Sequence, residues 1–305
     1  MTPFKSLISA TQLTPAVIEK IFPIIDDMAA QVSEHGRINL LEDKVIALLF
    51  FEPSSRTMMS FQSAAQRLKA GMVFAQNAAS TSFEKGESLE DLIRMVESYS
   101  DLIVMRHAMP GSAAIAADTS AVPFINAGDG GNEHPTQALI DVYTLHKKKG
   151  RLDNLNIVFG FDSLQSRSIH SLTRLLAQYP NNHFTFTGPS ELNPPQELLD
   201  ELQAMGTNCT ISPEVDLRDG FDAAYVNRLQ QERFSDSAMF EKHRRKYRIA
   251  RKDIEGCDCI ILDPLPRIDE IDVEVDDLPN AVYFEQASYG VPVRMALLAM
   301  LLGKA

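Results

Sequence analysis

The chain is short of the residues that would tie it to an oxidising compartment, a membrane or a nucleic acid. Its 305 residues hold three cysteines, Cys209, Cys257 and Cys259. Three thiols do not make a disulfide framework, so a reducing, cytoplasmic setting is expected. Cys257-Asp258-Cys259 has no second Cys or His pair at ligand spacing and runs straight into Ile260-Ile261-Leu262. It reads as a buried strand, with no metal expected. No apolar run is long enough to span a bilayer, and the first residues show no signal-peptide pattern. Basic residues are outnumbered, 29 Lys and Arg against 41 Asp and Glu, for a net charge of -12. That balance weighs against nucleic acid or an anionic membrane as partner, while leaving room for a local basic pocket. Internal repeats and low-complexity stretches are missing. So are two glycine frames. The Gly-x-x-x-x-Gly-Lys of a P-loop is absent from the first strand-to-helix turn. Gly160 stands alone after Asn156-Ile157-Val158-Phe159, where a dinucleotide turn needs three glycines. P-loop chemistry and NAD binding are set aside on that ground, and no cofactor is expected.

What is present is an ordinary globular composition, 45% hydrophobic and 23% charged, over a length that suits about two domains. Val45-Ile46-Ala47-Leu48-Leu49-Phe50-Phe51 is an unbroken apolar run, the pattern of a strand buried on both faces of a parallel sheet. Phe61, Ala64, Ala65 and Leu68 follow at helical spacing, with Gly71 placed as a C-terminal cap. Between them lie Glu52-Pro53-Ser54-Ser55-Arg56-Thr57. A helix N-terminus with three hydroxyls and a guanidinium fork suits a phosphate. Read alone, the stretch fits equally well an N-cap cluster with one surface arginine.

The same grammar recurs. A first helix opens at Thr14-Pro15. Met72–Ala75 reads as a short strand, 77–86 as a polar loop carrying Ser82 and Lys85, and a helix begins near Ser88. Leu102–Met105 is a buried strand that delivers Arg106-His107. Val122–Ile125 leads into a turn over Asn126–Gly131 and then a helix bearing His134 and Gln137. Lys147-Lys148-Lys149-Gly150-Arg151 marks a domain boundary. Beyond it, strands over Asn156–Gly160, Phe184–Phe186, Ala223–Val226 and Ile260–Leu262 alternate with helices, and a last helix runs from about Pro292 through Leu302. The expected architecture is α/β: two domains, each a parallel sheet flanked by helices, joined by interdomain helices. Residues 1–149 form the first domain, to which a helix over about 290–305 returns, and residues 150–289 form the second. In such sheets ligands bind at the carboxyl ends of the strands, where these polar residues fall.

Phe51-Glu52-Pro53-Ser54-Ser55-Arg56-Thr57, Lys85-Gly86-Glu87, Val104-Met105-Arg106-His107, His134-Pro135-Thr136-Gln137 and Pro264-Leu265-Pro266-Arg267 resemble, in order, the motifs of the aspartate/ornithine carbamoyltransferase family. The likeness covers nearly the whole chain. Arg167–Leu172 and Arg228–Arg233 resemble blocks of the aspartate branch, and Asp263-Pro264-Leu265-Pro266 stands where the ornithine branch has His-Cys-Leu-Pro. The resemblance implies transfer of the carbamoyl group of carbamoyl phosphate to the α-amine of L-aspartate, as in pyrimidine biosynthesis. It implies that Ser54, Ser55, Arg56 and Thr57 hold the phosphate, that Thr57, Arg106 and His134 polarise the carbonyl, and that Gln137 takes the carbamoyl nitrogen. The Leu265 backbone carbonyl orients the attacking amine, and Leu265 and Pro266 also line the carbamoyl phosphate site. Arg167 and Arg228, with Gln230, take the two carboxylates. Glu52 pairs with Arg167 and Arg233 on closure. Ser82 and Lys85 reach a neighbouring subunit's site, which requires a homotrimer, and regulatory chains are possible further partners. Alternative readings are carbamoyl transfer to another amino acid, a non-catalytic paralogue that binds carbamoyl phosphate, and a generic nucleotide-binding protein. Relative to the family pattern, Ser55 replaces Thr or Gly, Met58 an arginine, Glu84 a lysine, Glu133 a glutamine and Asp263 a histidine. None of these is a residue assigned to chemistry except Ser55, which keeps its hydroxyl.

Overall fold

The computed structural model describes residues 4–76, 86–229 and 237–305, and divides into two compact units, Met1–Ile140 with Tyr289–Ala305, and Asp141–Ser288.

The first unit opens with α1 (Pro15–His35), whose first position is a proline and whose inner stripe is Val17, Ile18, Ile21, Phe22, Ile25 and Met28. Then follow β1 (Val45–Phe50), α2 (Ser55–Arg67), β2 (Gly71–Gln76), α3 (Leu89–Glu97), β3 (Leu102–His107), α4 (Ser112–Thr119), β4 (Phe124–Asp129) and the start of α5 (Pro135–Lys149). The strands form one parallel sheet in the order β2-β1-β3-β4. β1 and β3 are central and buried almost throughout, as their unbroken apolar runs require. The edge strand β2 is largely exposed. The other edge is covered by the N-terminal segment: Leu7 N–H donates to Phe124 O at 2.8 Å, and Asn126 N–H to Leu7 O at 2.8 Å. On one face Ala47, Leu49, Ile103 and Met105 pack against Leu92, Ile93 and Val96 of α3 and Ala113 and Ala116 of α4.

The second unit carries the rest of α5, then β5 (Asn156–Gly160), α6 (Arg167–Leu176), β6 (His183–Thr187), α7 (Gln196–Ala204), β7 (Asn208–Ile211), β8 (Ala223–Val226), α8 (Ser237–Lys246), α9 (Arg251–Ile254), β9 (Ile260–Leu262) and α10 (Tyr283–Ser288). Its parallel sheet has the doubly wound order β7-β6-β5-β8-β9. Val158, Ala224, Val226 and Ile261 face Phe240, Tyr247, Ile249 and Ile254 in its core. The last helix, α11 (Gly290–Leu301), belongs to the first unit, where it packs on α1 and α2. Among the described residues no helix is long and apolar enough to cross a membrane. Nor do these residues include three or more His, Cys, Asp or Glu placed together to hold a metal ion.

Two local expectations give way. Gly71 does not cap α2. The helix ends at Arg67, Lys69 takes the left-handed position at φ 60, and Gly71 opens β2 opposite Val45. Asn126–Asp129 is not a turn but part of β4, because those residues are buried and Asn126 and Asp129 pair with β3 across an irregularity in register.

Candidate active site

In the first unit the polar residues gather at the carboxyl ends of β1, β3 and β4. Ser54 is the N-cap of α2, yet its hydroxyl makes no capping hydrogen bond, and the first turn holds no acidic residue. With no cap from Ser54 and no acidic residue in its first turn, the helix keeps its positive end, the arrangement that favours an anion. Ser55 and Arg56 are exposed on this turn, whereas Thr57 is buried.

Arg106 lies next to the turn. β3 pairs with β1 so that Arg106 stands opposite Phe50, and Phe51 N–H donates to Arg106 O at 2.9 Å. Arg106 is only 9% exposed, and its Nε meets Glu52 Oε2 at 2.9 Å. An ion pair this enclosed fixes the direction of the guanidinium fork. His107 follows, its Nδ1 accepting from Met109 N–H at 3.0 Å and its ring set edge-on to Phe51 at 5.8 Å. Burial holds the His107 imidazole below its ordinary pKa despite the opposing charges of Glu52 and Asp129, so it is neutral near pH 7.

His134 is delivered by a turn built around Asp129. One buried carboxylate accepts from Gly111 N–H (3.0 Å), Asn126 Nδ2 (3.1 Å), Asn132 Nδ2 (3.1 Å) and Glu133 N–H (3.0 Å). Gly130 N–H ties the turn back to β3 at His107 O, 2.8 Å away. Gly130 is required there: its φ is +57°, and a Cβ would come within 2.6 Å of Ala108 O. His134 then sits buried just before α5, with Thr136 Oγ1 3.4 Å from its Nδ1, and Gln137 is half-buried in the first turn. Glu133 does not turn its charge on the imidazole alone. Its carboxylate accepts from Ser9 Oγ at 2.9 Å and Ala10 N–H at 3.4 Å, which commits it to the N-terminal segment.

In the second unit Arg167 opens α6, whose N-cap Ser166 accepts from Ile169 N–H at 3.4 Å. One turn on, the buried His170 places Nε2 2.9 Å from Ser163 O. That nitrogen carries the proton, and burial lowers the ring's pKa. Arg228 lies two residues beyond β8. Its neighbour Asn227 locks the ends of β5 and β8 together. Asn227 Oδ1 accepts from Phe161 N–H (2.9 Å) and Asp162 N–H (3.2 Å), Nδ2 donates to Asp162 O (3.1 Å), and its backbone N–H donates to Gly160 O (2.7 Å). Leu265 and Pro266 form the loop after β9, joined by a cis peptide, with Leu265 at φ 56. Arg267 anchors that loop by a fork on Asp276, Nη2 to Oδ2 at 3.0 Å, assisted by Tyr283. Pairing with Arg267 holds the Asp276 carboxyl below its usual pKa. Ser82, Lys85, Gln230 and Arg233 lie outside the described residues.

Sequence reasoning passed over Asp129 and Asn227. Both act through backbone bonds to distant strands, and the only signal available was an Asx residue at a strand's carboxyl end.

A helix-terminus anion turn, a buried arginine and a histidine at adjacent strand ends of a parallel sheet suit a phosphorylated small molecule. The comparisons narrow this. Residues 5–147 match the model of the aspartate/ornithine carbamoyltransferase carbamoyl-P binding domain, and residues 153–301 match that of the Asp/Orn binding domain. The chain belongs to the aspartate/ornithine carbamoyltransferase family. It is 43% identical over 288 residues to the aspartate carbamoyltransferase catalytic subunit of Methanocaldococcus jannaschii, covering 93% of this chain and 94% of that one. A solved structure of the M. jannaschii catalytic subunit superposes with a TM-score of 0.93 at 42% identity, covering 98% of both chains. Aspartate transcarbamoylase from Trypanosoma cruzi, in complex with N-(phosphonacetyl)-L-aspartic acid, superposes with a TM-score of 0.89 at 35% identity. That match covers 96% of this chain and 94% of that one.

Proposed function

We propose that this chain transfers the carbamoyl group of carbamoyl phosphate to the α-amine of L-aspartate, releasing N-carbamoyl-L-aspartate and phosphate. The observation that carries the reading is the arrangement in the first unit: an acid-free helix start at Ser54–Thr57, with no cap from Ser54, beside a buried Arg106 that is ion-paired with Glu52. Ser54, Ser55, Arg56 and Thr57 bind the phosphoryl group. Thr57, Arg106 and His134 donate toward the carbonyl oxygen, where negative charge grows as the amine adds. Gln137 takes the carbamoyl nitrogen. In the second unit Arg167 and Arg228, with Gln230, match the two carboxylates of aspartate by forked charge-assisted bonds, and the Leu265 carbonyl, in the Leu265-Pro266 segment, accepts from the amine. The new N–C bond forms as the C–O bond to phosphate breaks, and the amine proton leaves with the phosphate. Rate comes from positioning and fixed dipoles, with no covalent intermediate on the protein.

The domain roles follow: residues 1–149, with the returning helix over about 290–305, bind carbamoyl phosphate, and residues 150–289 bind aspartate. Ser82 and Lys85 complete a neighbouring subunit's site in a homotrimer. Regulatory chains are a further possible partner, and the setting is cytoplasmic pyrimidine biosynthesis. The test is a carbamoylation assay with L-aspartate and L-ornithine side by side. Aspartate is expected to turn over, and ornithine is not, because its ammonium would face two arginines. Ornithine turnover at comparable efficiency would reverse the assignment.

A further inference from the structure

The loop after β9 is held from beneath by a buried polar chain. Asp263 is 2% exposed, and its Oδ1 accepts from Leu265 N–H at 2.5 Å. Its own N–H donates to Gln286 Oε1 at 2.9 Å. Gln286, fully buried on α10, donates Nε2 to Asp141 Oδ1 at 2.7 Å, so both ends of its amide are engaged. Tyr225 is buried beside the two carboxylates. Burial, then the charges of Asp141 and Asp263, push its phenol well above the usual pKa, so it remains a neutral neighbour. Leu265 holds φ 56, a left-handed conformation that a branched residue keeps only where the surroundings over-determine it. The bond from Asp263 Oδ1 to the N–H two residues on is the Asx arrangement, in which a short carboxylate imitates a backbone turn. A histidine, common to the family at this position, would make such a bond through ring Nδ1, as His107 does with Met109 N–H, whereas here a carboxylate oxygen makes it.

We infer that Asp263 and Gln286 are positioning residues for carbamoyl transfer: Gln286 fixes Asp263, and Asp263 fixes the Leu265 peptide so that the Leu265 carbonyl meets the attacking amine. The inference deepens the proposed function and rests on it. Asp263 touches no substrate. It acts through one peptide plane, so its removal should affect the amine and spare the groups that hold the carboxylates and the phosphate.

The experiment compares wild-type, Asp263→Ala and Asp263→Asn proteins for aspartate turnover and for inhibition by succinate, which has both carboxylates and no amine. Asp263→Ala should lower kcat by about tenfold to a hundredfold, the scale of a misplaced reacting group. Succinate inhibition and the KM for carbamoyl phosphate should stay at wild-type values. Asp263→Asn, whose amide oxygen can still accept from Leu265 N–H, should recover most of the turnover. Wild-type turnover in Asp263→Ala overturns the inference. So does a loss of succinate binding in step with kcat, which would make Asp263 a general support of the second unit. If Asp263→Ala does not fold, Leu265→Gly loosens the same peptide without disturbing the buried chain. The same split between kcat and succinate is then expected, and unchanged kcat overturns the inference. Wild-type protein that fails to carbamoylate aspartate would overturn the underlying reading as well, which separates the two failures.

Discussion

Arg56, in the first turn after β1, and Arg106, near the end of the neighbouring β3, have different surroundings. Arg106 is buried and paired with Glu52, whereas Arg56 is exposed on the first turn of α2. Truncating Arg106 leaves Glu52 without that cation, so its cost is divided between stability and chemistry. Truncating Arg56 removes a forked donor for a dianion while leaving the packed core of α2, Phe61, Ala64 and Ala65, untouched. A charge-assisted bond to a bound phosphate contributes on the order of 2–4 kcal/mol. Arg56→Ala should therefore lower kcat/KM for carbamoyl phosphate by about thirtyfold to several hundredfold, with a melting temperature close to wild type. Steady-state kinetics with a thermal melt of the same preparation check both halves. Near-normal kinetics would remove the turn from the site. The Glu52–Arg106 pair itself was not legible in the sequence. The resemblance implies that Glu52 pairs with Arg167 and Arg233 when the domains close, and it says nothing of Arg106. The bond of Glu52 to Arg106 depends on β1 and β3 being neighbours in register, and that is a property of the sheet.

Elements with one strong signal were readable from the chain. β1 and β3 show as unbroken apolar runs because both of their faces are buried, and α1 shows by its N1 proline and its stripe. β7 was missed because Asn208–Ile211 is an exposed edge with little apolar pattern, and α7 because its buried positions are only Leu198 and Leu202. Asn126–Asp129 misled for the opposite reason. Asn, Gly and Asp usually signal a turn, but here they lie inside β4, where Asn126 Nδ2 also bonds Ile8 O at 2.9 Å and Asp129 gathers four donors. The true turn begins at Gly130. That turn can be tested at its tightest point. Gly130→Ala meets Ala108 O at 2.6 Å and Pro110 Cδ at 2.8 Å in a left-handed conformation, whereas Gly131→Ala meets nothing within 4 Å. The first should destabilise the protein by about 1–3 kcal/mol and lower kcat as His134 shifts. The second should be close to neutral in both. Equal melting temperatures for the two variants would show that the turn does not constrain His134.

At the scale of the whole molecule, the residues assigned to one reaction come from both units, and the resemblance adds a third source, Ser82 and Lys85 of a neighbouring subunit. If Lys85 acts on a neighbour, each site draws on two chains around a closed ring. Lys85→Ala protein should then be nearly inactive, and Arg106→Ala protein likewise, because every site in either homotrimer lacks one group. Mixed in equal amounts, dissociated and reassembled, the two should regain activity. A site is whole when its main chain carries Arg106 and its neighbour carries Lys85. Random assembly around a cyclic trimer gives that in roughly a quarter of sites, half times half. Sites confined to one chain predict no recovery, since no single chain holds both residues. Sedimentation of each variant and of the mixture comes first, so that a failure to assemble is not read as a failure to complement. Trimers that reassemble and stay at the activity of the separate variants would place Lys85 outside the neighbour's site.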